Sequence, residues 1–196
     1  MERRTAVVLA AFTLLAVAPQ SPPGDSPVIA AAYARNESLK NYTFEVNVAM
    51  AMRHFPWLHF HIQGDGVYDR GRRYVVHFTK MPFFAPQPRD VDLSMLDPAM
   101  WPQLYTVASA TTDGSDAIFT LHAIDDDSLQ EARVTMSPID GTERVEATYR
   151  DGTHIAMTVA SKDSDGYLLP AKITASIDYG RTPLSADADF TNYVVP

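Results

Sequence analysis

Two signals recur along this chain: apolar and polar residues alternate one by one, and short Asp-Gly pairs interrupt the alternation at hairpin spacing. Few folds satisfy both. In TFEVNVAMAM, Phe44, Val46, Val48, Met50 and Met52 point to one side, and Thr43, Glu45, Asn47, Ala49 and Ala51 to the other. That is the period of a half-buried strand. The stretch WLHFHIQGDGVYDRGRRYVVHF continues as a hairpin, with Leu58, Phe60 and Ile62 in phase on one arm and Tyr74, Val76 and Phe78 on the other. Tyr68-Asp69-Arg70-Gly71-Arg72 supplies its turn. Asp113-Gly114, Asp140-Gly141, Asp151-Gly152 and Asp165-Gly166 then separate further alternating segments up to LSADADFTNYVV. Asp-Gly suits the positive φ angles of short hairpins, so about nine or ten strands form an antiparallel up-and-down sheet. A sheet with so many strands curls.

Two regions depart from this rhythm. SPVIAAAYARNESLKNY opens with Ser26 as N-cap and Pro27 at the first helical position, which predicts a helix over 27–39. Val28, Ala31, Ala32, Arg35 and Leu39 are expected on one face, a small-residue stripe suited to lying against a sheet. The segment from Met81 to Tyr105 carries prolines 82, 86, 88, 98 and 102, which exclude a central strand, together with Phe83, Phe84, Leu93, Met95, Leu96, Met100 and Trp101. An apolar, irregular insertion of this length suits either a functional cover or a plug that seals one end of the core.

Ahead of the domain, MERRTAVVLAAFTLLAVA has the form of a secretory signal peptide, and residues 19–26 form a proline- and serine-rich linker. Residues 27–196 are then one domain, periplasmic or secreted, or anchored if the signal is not cleaved. The chain has no cysteine. Disulfides, lipid attachment at cysteine and thiolate chemistry are therefore unavailable. A formal net charge of -8, with acidic residues scattered, argues against a nucleic-acid partner.

Taken together, the secretory segment, the helix ending in SLKNY, TFEVNVAMAM, the hairpin GDGVYDRGRRYVVHF, the apolar insertion, and a tail with LLPAKITASIDYG and ADFTNYVV resemble the outer-membrane lipoprotein carriers, the LolA/LolB-like proteins. The resemblance implies an α+β fold: a curved antiparallel sheet, or open half-barrel, with an N-terminal helix and a short helical or irregular lid at about 81–105 over an apolar cavity. It implies a monomer without a cofactor that binds the acyl chains of a lipid or lipoprotein and exchanges them with a membrane donor or acceptor protein. The implied lipid-binding wall is Phe44, Val46, Val48, Met50, Met52, Leu58, Phe60, Ile62, Tyr74, Val76, Phe78, Phe83, Phe84, Met95, Met100 and Trp101. Arg70 stands where the family places a lid-latching arginine, and Tyr74 at its aromatic position, while Gly71 replaces the family's proline. The eight methionines suit adaptable apolar walls.

Two other readings compete. In one, the same fold is an envelope sensor that binds a protein on its concave surface. In the other, His59, His61 and His77 form the metal site of a secreted enzyme, since His59 and His61 share one face of a strand and His77 can lie across the hairpin. The alternation opposes the second, because it sets these histidines opposite Leu58, Phe60, Ile62, Val76 and Phe78 and so toward solvent. Asp125-Asp126-Asp127 lacks the spaced oxygens of a calcium loop and suits a solvated turn.

Overall fold

A computed structural model of the chain describes residues 26–80, 90–179 and 182–196. The segment expected as a signal peptide, nearly all of the expected linker, and Phe83 and Phe84 lie outside the described residues. The strands are β1 (Asn41–Met52), β2 (Phe55–Asp69), β3 (Arg73–Lys80), β4 (Asp90–Asp92), β5 (Tyr105–Asp113), β6 (Asp116–Ala123), β7 (Leu129–Ser137), β8 (Gly141–Tyr149), β9 (His154–Ser164), β10 (Tyr167–Tyr179) and β11 (Thr182–Val194). They form one antiparallel sheet in the order β4-β3-β2-β1-β11-β10-β9-β8-β7-β6-β5. It is the expected open, curved sheet. β1 pairs with β11, bringing the first and last strands of the chain side by side, and β4 and β5 are its two edges.

The alternation is realised residue for residue in β1, where every even position from Tyr42 to Val48 is buried and every odd one exposed. At the turns, Gly114, Gly141, Gly152 and Gly166 all take positive φ. At the β9–β10 turn Asp165 joins Gly166 there, with φ of 54° and 85°, as a two-residue mirror-image turn demands. The eleven strands exceed the nine or ten expected. β4 lies inside the insertion, and β5 (YTVASATTD) is an edge strand with no buried residue and hence no apolar alternation to betray it.

The helix is shorter than its composition suggests. It runs over Pro27–Ala34 (α1), with Ser26 extended as the residue that precedes it. Asn36 ends it by pairing with β10: its Nδ2 donates to the Leu168 carbonyl at 2.8 Å and its Oδ1 accepts the Leu168 N–H at 2.8 Å. Such side-chain bonding to backbone competes with helix continuation. The buried face is Ile29 and Ala32, with Val28 and Tyr33 partly buried against the core, whereas Ala31 and Arg35 face solvent. α1 rests on β7 and β8.

The insertion follows from the topology. Because β4 and β5 occupy opposite edges, residues 93–104 must carry the chain from one edge of the sheet to the other. They do so through a 3₁₀ turn at Ser94–Leu96 and one helical turn, α2 (Trp101–Leu104). Trp101 is fully buried, edge-on to Phe119 at 5.3 Å, and its indole N–H donates to the Met95 carbonyl at 3.1 Å. At the α1 end, Tyr42, Phe44, Tyr68, Tyr74, Phe190 and Tyr193 form a continuous aromatic cluster. Phe44 lies directly over Gly66, filling the space that a side chain there would need. Gly66 thus admits a ring from the neighbouring strand.

Candidate functional site

The apolar faces of the strands do not meet everywhere. Away from the aromatic end they enclose a cavity of about 440 Å³, bordered by Val46, Val48 and Met50 of β1, Ile62 of β2, and Val76 and Phe78 of β3. Val91, Leu93, Met95 and Leu96 of the edge and crossover segment close it on one side. The far wall is Ala147 and Tyr149 of β8, Ile155 and Met157 of β9, Ile173, Ala175 and Ile177 of β10, and Ala186, Ala188 and Phe190 of β11. Asp92 and Asp126, with Tyr105 and Tyr149, give the wall its few polar groups, and among the described residues no lysine or arginine borders it. Burial, reinforced by the Asp92 charge, pushes the Tyr105 phenol up to about 12. Burial and the Asp126 charge raise Tyr149 as well.

Seven of the sixteen residues implied as a lipid wall border this cavity: Val46, Val48, Met50, Ile62, Val76, Phe78 and Met95. The others described lie elsewhere. Phe44 and Tyr74 belong to the aromatic end, and Met100 and Trp101 are buried core beneath the crossover. Met52, Leu58 and Phe60 are partly exposed near the β1–β2 turn, outside the cavity lining. The far wall on β8–β11 carries none of the implied residues. Its signal is the in-phase series Ile173, Ala175, Ile177 and Ala186, Ala188, Phe190, where small side chains leave the space that larger ones would fill.

Arg70 bonds to the segment that follows α1. Its Nη1 donates to the Glu37 carbonyl at 2.7 Å and to that of Asn36 at 3.3 Å, and its guanidinium lies 5.9 Å from the Tyr33 ring centroid. These carbonyls lie just past the end of α1, and that of Asn36 also accepts the Leu39 N–H at 3.0 Å. The adjacent Gly71 carbonyl accepts from Gln103 Nε2 at 2.9 Å, which ties the same turn to α2. Gly71 has φ of 70°, a conformation closed to the proline expected there.

Beneath α1 lies a second, smaller chamber of about 70 Å³, lined by Tyr33, Tyr42, Tyr68, Tyr74 and Asp97 among others. The Tyr33 hydroxyl donates to Asp97 Oδ1, joining α1 to the crossover segment. The Ala99 N–H donates to the same oxygen at 2.9 Å. Burial pushes all four phenols up, and the Asp97 charge adds to this at Tyr33, Tyr68 and Tyr74.

Neither a family model nor a curated protein matches the chain. Solved structures do. A LolA-superfamily protein from Nitrosomonas europaea superposes with a TM-score of 0.59 at 10% identity, over 86% of this chain and 92% of the other. A DUF1329-family protein from Desulfovibrio piger gives 0.56 at 8% identity, over 86% and 91%. A domain named as a candidate outer membrane lipoprotein-sorting protein, from Vibrio parahaemolyticus, gives 0.51 at 12% identity, over 85% and 91%. The chain has a LolA-like fold.

On this LolA-like sheet the histidines of the competing metal reading stand apart on the outer face. His59 and His61 are exposed and pair with Ala51 and Ala49 of β1. His77 is opposite Asp65, four residues from His61, and its Nδ1 lies 2.6 Å from Asp90 Oδ1. Among the described residues no group of three histidine or acidic side chains is arranged to hold a metal. Asp126 accepts the Ser128 N–H at 2.8 Å and its hydroxyl at 2.6 Å, as an aspartate does in a tight turn.

Proposed function

We propose that this LolA-like protein is a non-enzymatic carrier that holds the acyl chains of a lipid or lipoprotein in its apolar cavity and moves them through the bacterial periplasm. The observation that carries the reading is the 440 Å³ cavity itself, walled by aliphatic and methionine side chains beneath a crossover segment. Its volume falls in the range of about 300–1,000 Å³ usual for small-molecule sites. Each methylene removed from water contributes about 0.8 kcal/mol, so roughly ten methylenes supply about 8 kcal/mol, the scale of micromolar binding. With two aspartates and, among the described residues, no lysine or arginine on the wall, the cavity suits a ligand whose polar end is neutral or cationic better than a fatty carboxylate.

Organic extraction and mass spectrometry of protein purified without detergent test this directly. A sub-stoichiometric lipid is expected, together with saturable binding of a neutral fluorescent lipid probe. A clean protein that ignores the probe would sink the proposal.

A further inference from the structure

We propose that the apolar cavity selects a lipid with an ammonium headgroup, held at a polar corner made by Asp92, Tyr105, Asp126 and Tyr149. The inference rests on the carrier reading and names its ligand class. The polar side chains of the lining are gathered in one place rather than spread around the wall. Asp92 ends one edge strand, β4, and Tyr105 begins the other, β5, and both border the cavity. Asp126 comes from the turn between β6 and β7, and Tyr149 ends β8 directly opposite Leu129, the first residue of β7. Backbone bonds fix these pieces together: the Ile124 N–H donates to the Leu104 carbonyl and the Arg150 N–H to that of Ser128, both at 2.9 Å. The phenols register the same closeness, since after burial it is the Asp92 charge, then Tyr149 and Asp126, that raise Tyr105.

The wall is graded from water to oil. Asp92 and Asp126 are exposed, Tyr105 and Tyr149 half-buried, and Val46, Ile62, Val76 and Leu93 buried. A charged headgroup at this corner keeps its contact with water, so it avoids the desolvation that a buried ion suffers, while its chain lies inside. Asp126 is ionised there: the Ser128 hydroxyl, then the Ser128 N–H, hold its carboxyl below the usual range. Asp125, Asp127 and Asp151 stand in the same two turns and add negative charge, whereas Arg150, next to Tyr149 in sequence, is outside the lining. Two carboxylates and two phenol oxygens accept the N–H bonds of an ammonium, and they repel a fatty carboxylate. A soluble amine gains little at exposed carboxylates. The acyl chain in the cavity supplies the affinity, and the corner supplies the choice of headgroup.

Displacement of a neutral fluorescent lipid probe from the full chain, at low salt and below micelle-forming concentrations, tests the corner with dodecylammonium, monolauroylglycerol and dodecanoate. The three share one chain length and differ in head charge. Dodecylammonium is expected to bind about fivefold more tightly than monolauroylglycerol, and dodecanoate more weakly than either. Combining Asp92→Asn with Asp126→Asn should cut that ratio to about twofold or less. Asparagine keeps the acceptor oxygen that each turn uses, at 2.7 Å from the Ser94 N–H and 2.8 Å from the Ser128 N–H. The ratio is read within each variant, so a general loss of the cavity cancels. If the double variant does not fold, molar salt applied to the unaltered chain serves instead, because it screens exposed charges and should collapse the same ratio. Equal binding of the ammonium and glycerol lipids, or a preference that survives the asparagines or the salt, overturns the inference and leaves the carrier reading standing. Failure of all three lipids to displace the probe, or of the probe to bind, overturns the carrier reading and this inference with it.

Discussion

Replacing Gly66 with alanine should cost more than the addition of one methyl group suggests. A β-carbon at position 66 would lie 2.0 Å from Phe44 Cζ and 2.2–2.4 Å from its Cε atoms. Ordinary contact begins at 3.4 Å, so the ring would have to retreat by about 1.4 Å. It has nowhere to go, because the Phe190, Tyr42, Tyr193 and Tyr74 rings surround it with centroids at 5.4, 5.7, 5.8 and 6.1 Å. Overpacking of this kind costs about 1–3 kcal/mol, and outright expulsion of a buried phenylalanine about 3–5 kcal/mol. A loss of about 3 kcal/mol is expected, corresponding to a Tm drop of about 6–12 °C for a chain of this size. Urea unfolding measures it. Phe44→Leu in the Gly66→Ala background should recover at least about 1 kcal/mol, because the two positions share one space. Neutral-probe affinity should stay within about threefold of wild type, since Phe44 is not on the cavity wall. A stability loss below about 0.5 kcal/mol in the single variant would refute the packing argument.

Other expectations follow from the cavity, Arg70 and the buried phenols. Ala188→Trp projects into open space, so it should weaken the neutral probe at least tenfold while shifting unfolding by no more than about 1 kcal/mol; unchanged probe binding would exclude this cavity as the lipid site. Arg70→Ala removes two bonds to carbonyls beyond α1, and by chemical unfolding should cost about 1 kcal/mol, discounted for partial exposure. Faster proteolysis near residues 26–40, without loss of the sheet's circular dichroism signal, would show that the loss is local to α1. Because burial raises Tyr105 to about 12 and raises Tyr42, Tyr68, Tyr74 and Tyr193 as well, their contribution to stability is complete below the ordinary phenol pKa of about 10. It is lost as pH rises beyond that value. Absorbance titration should show delayed tyrosinate formation that ends in cooperative alkaline unfolding, and smooth titration near pH 10 would contradict it.

The parts of this fold that were legible in the sequence are those written in local chemistry. Alternation in β1–β3 and the Asp-Gly turns depend on neighbouring residues alone, and they survive intact. α1 was overextended because the contact that stops it joins Asn36 to Leu168, 132 residues away. The cavity was half legible. Val46, Val48, Met50, Ile62, Val76 and Phe78 announce themselves by size and phase, whereas Ala175, Ala186 and Ala188 shape the opposite wall by being small. In the insertion, apolar composition cannot separate Met95, which borders the cavity, from Trp101, which is sealed against Phe119. Asp97 was invisible, since nothing near it in sequence shows that it is buried.

The same topology accounts for why one end of the sheet is filled and the other is not. At the α1 end six aromatic rings pack on one another and leave only a chamber of about 70 Å³, and Arg70, Asn36 and Tyr33 bond across to the cover. At the other end the described residues lay the crossover between two sheet edges over the concave face, and alanines stand where rings would close the space. Were 440 Å³ left as a dry void, the usual cost of about 24 cal/mol per Å³ would amount to roughly 10 kcal/mol, comparable to the whole stability of a domain. A cavity of this kind therefore persists wetted or occupied, and replacing poorly bonded water with acyl chain returns part of that cost. On the carrier reading, an aromatic end packed by its own side chains leaves the apolar end free to fill and empty without unfolding the sheet.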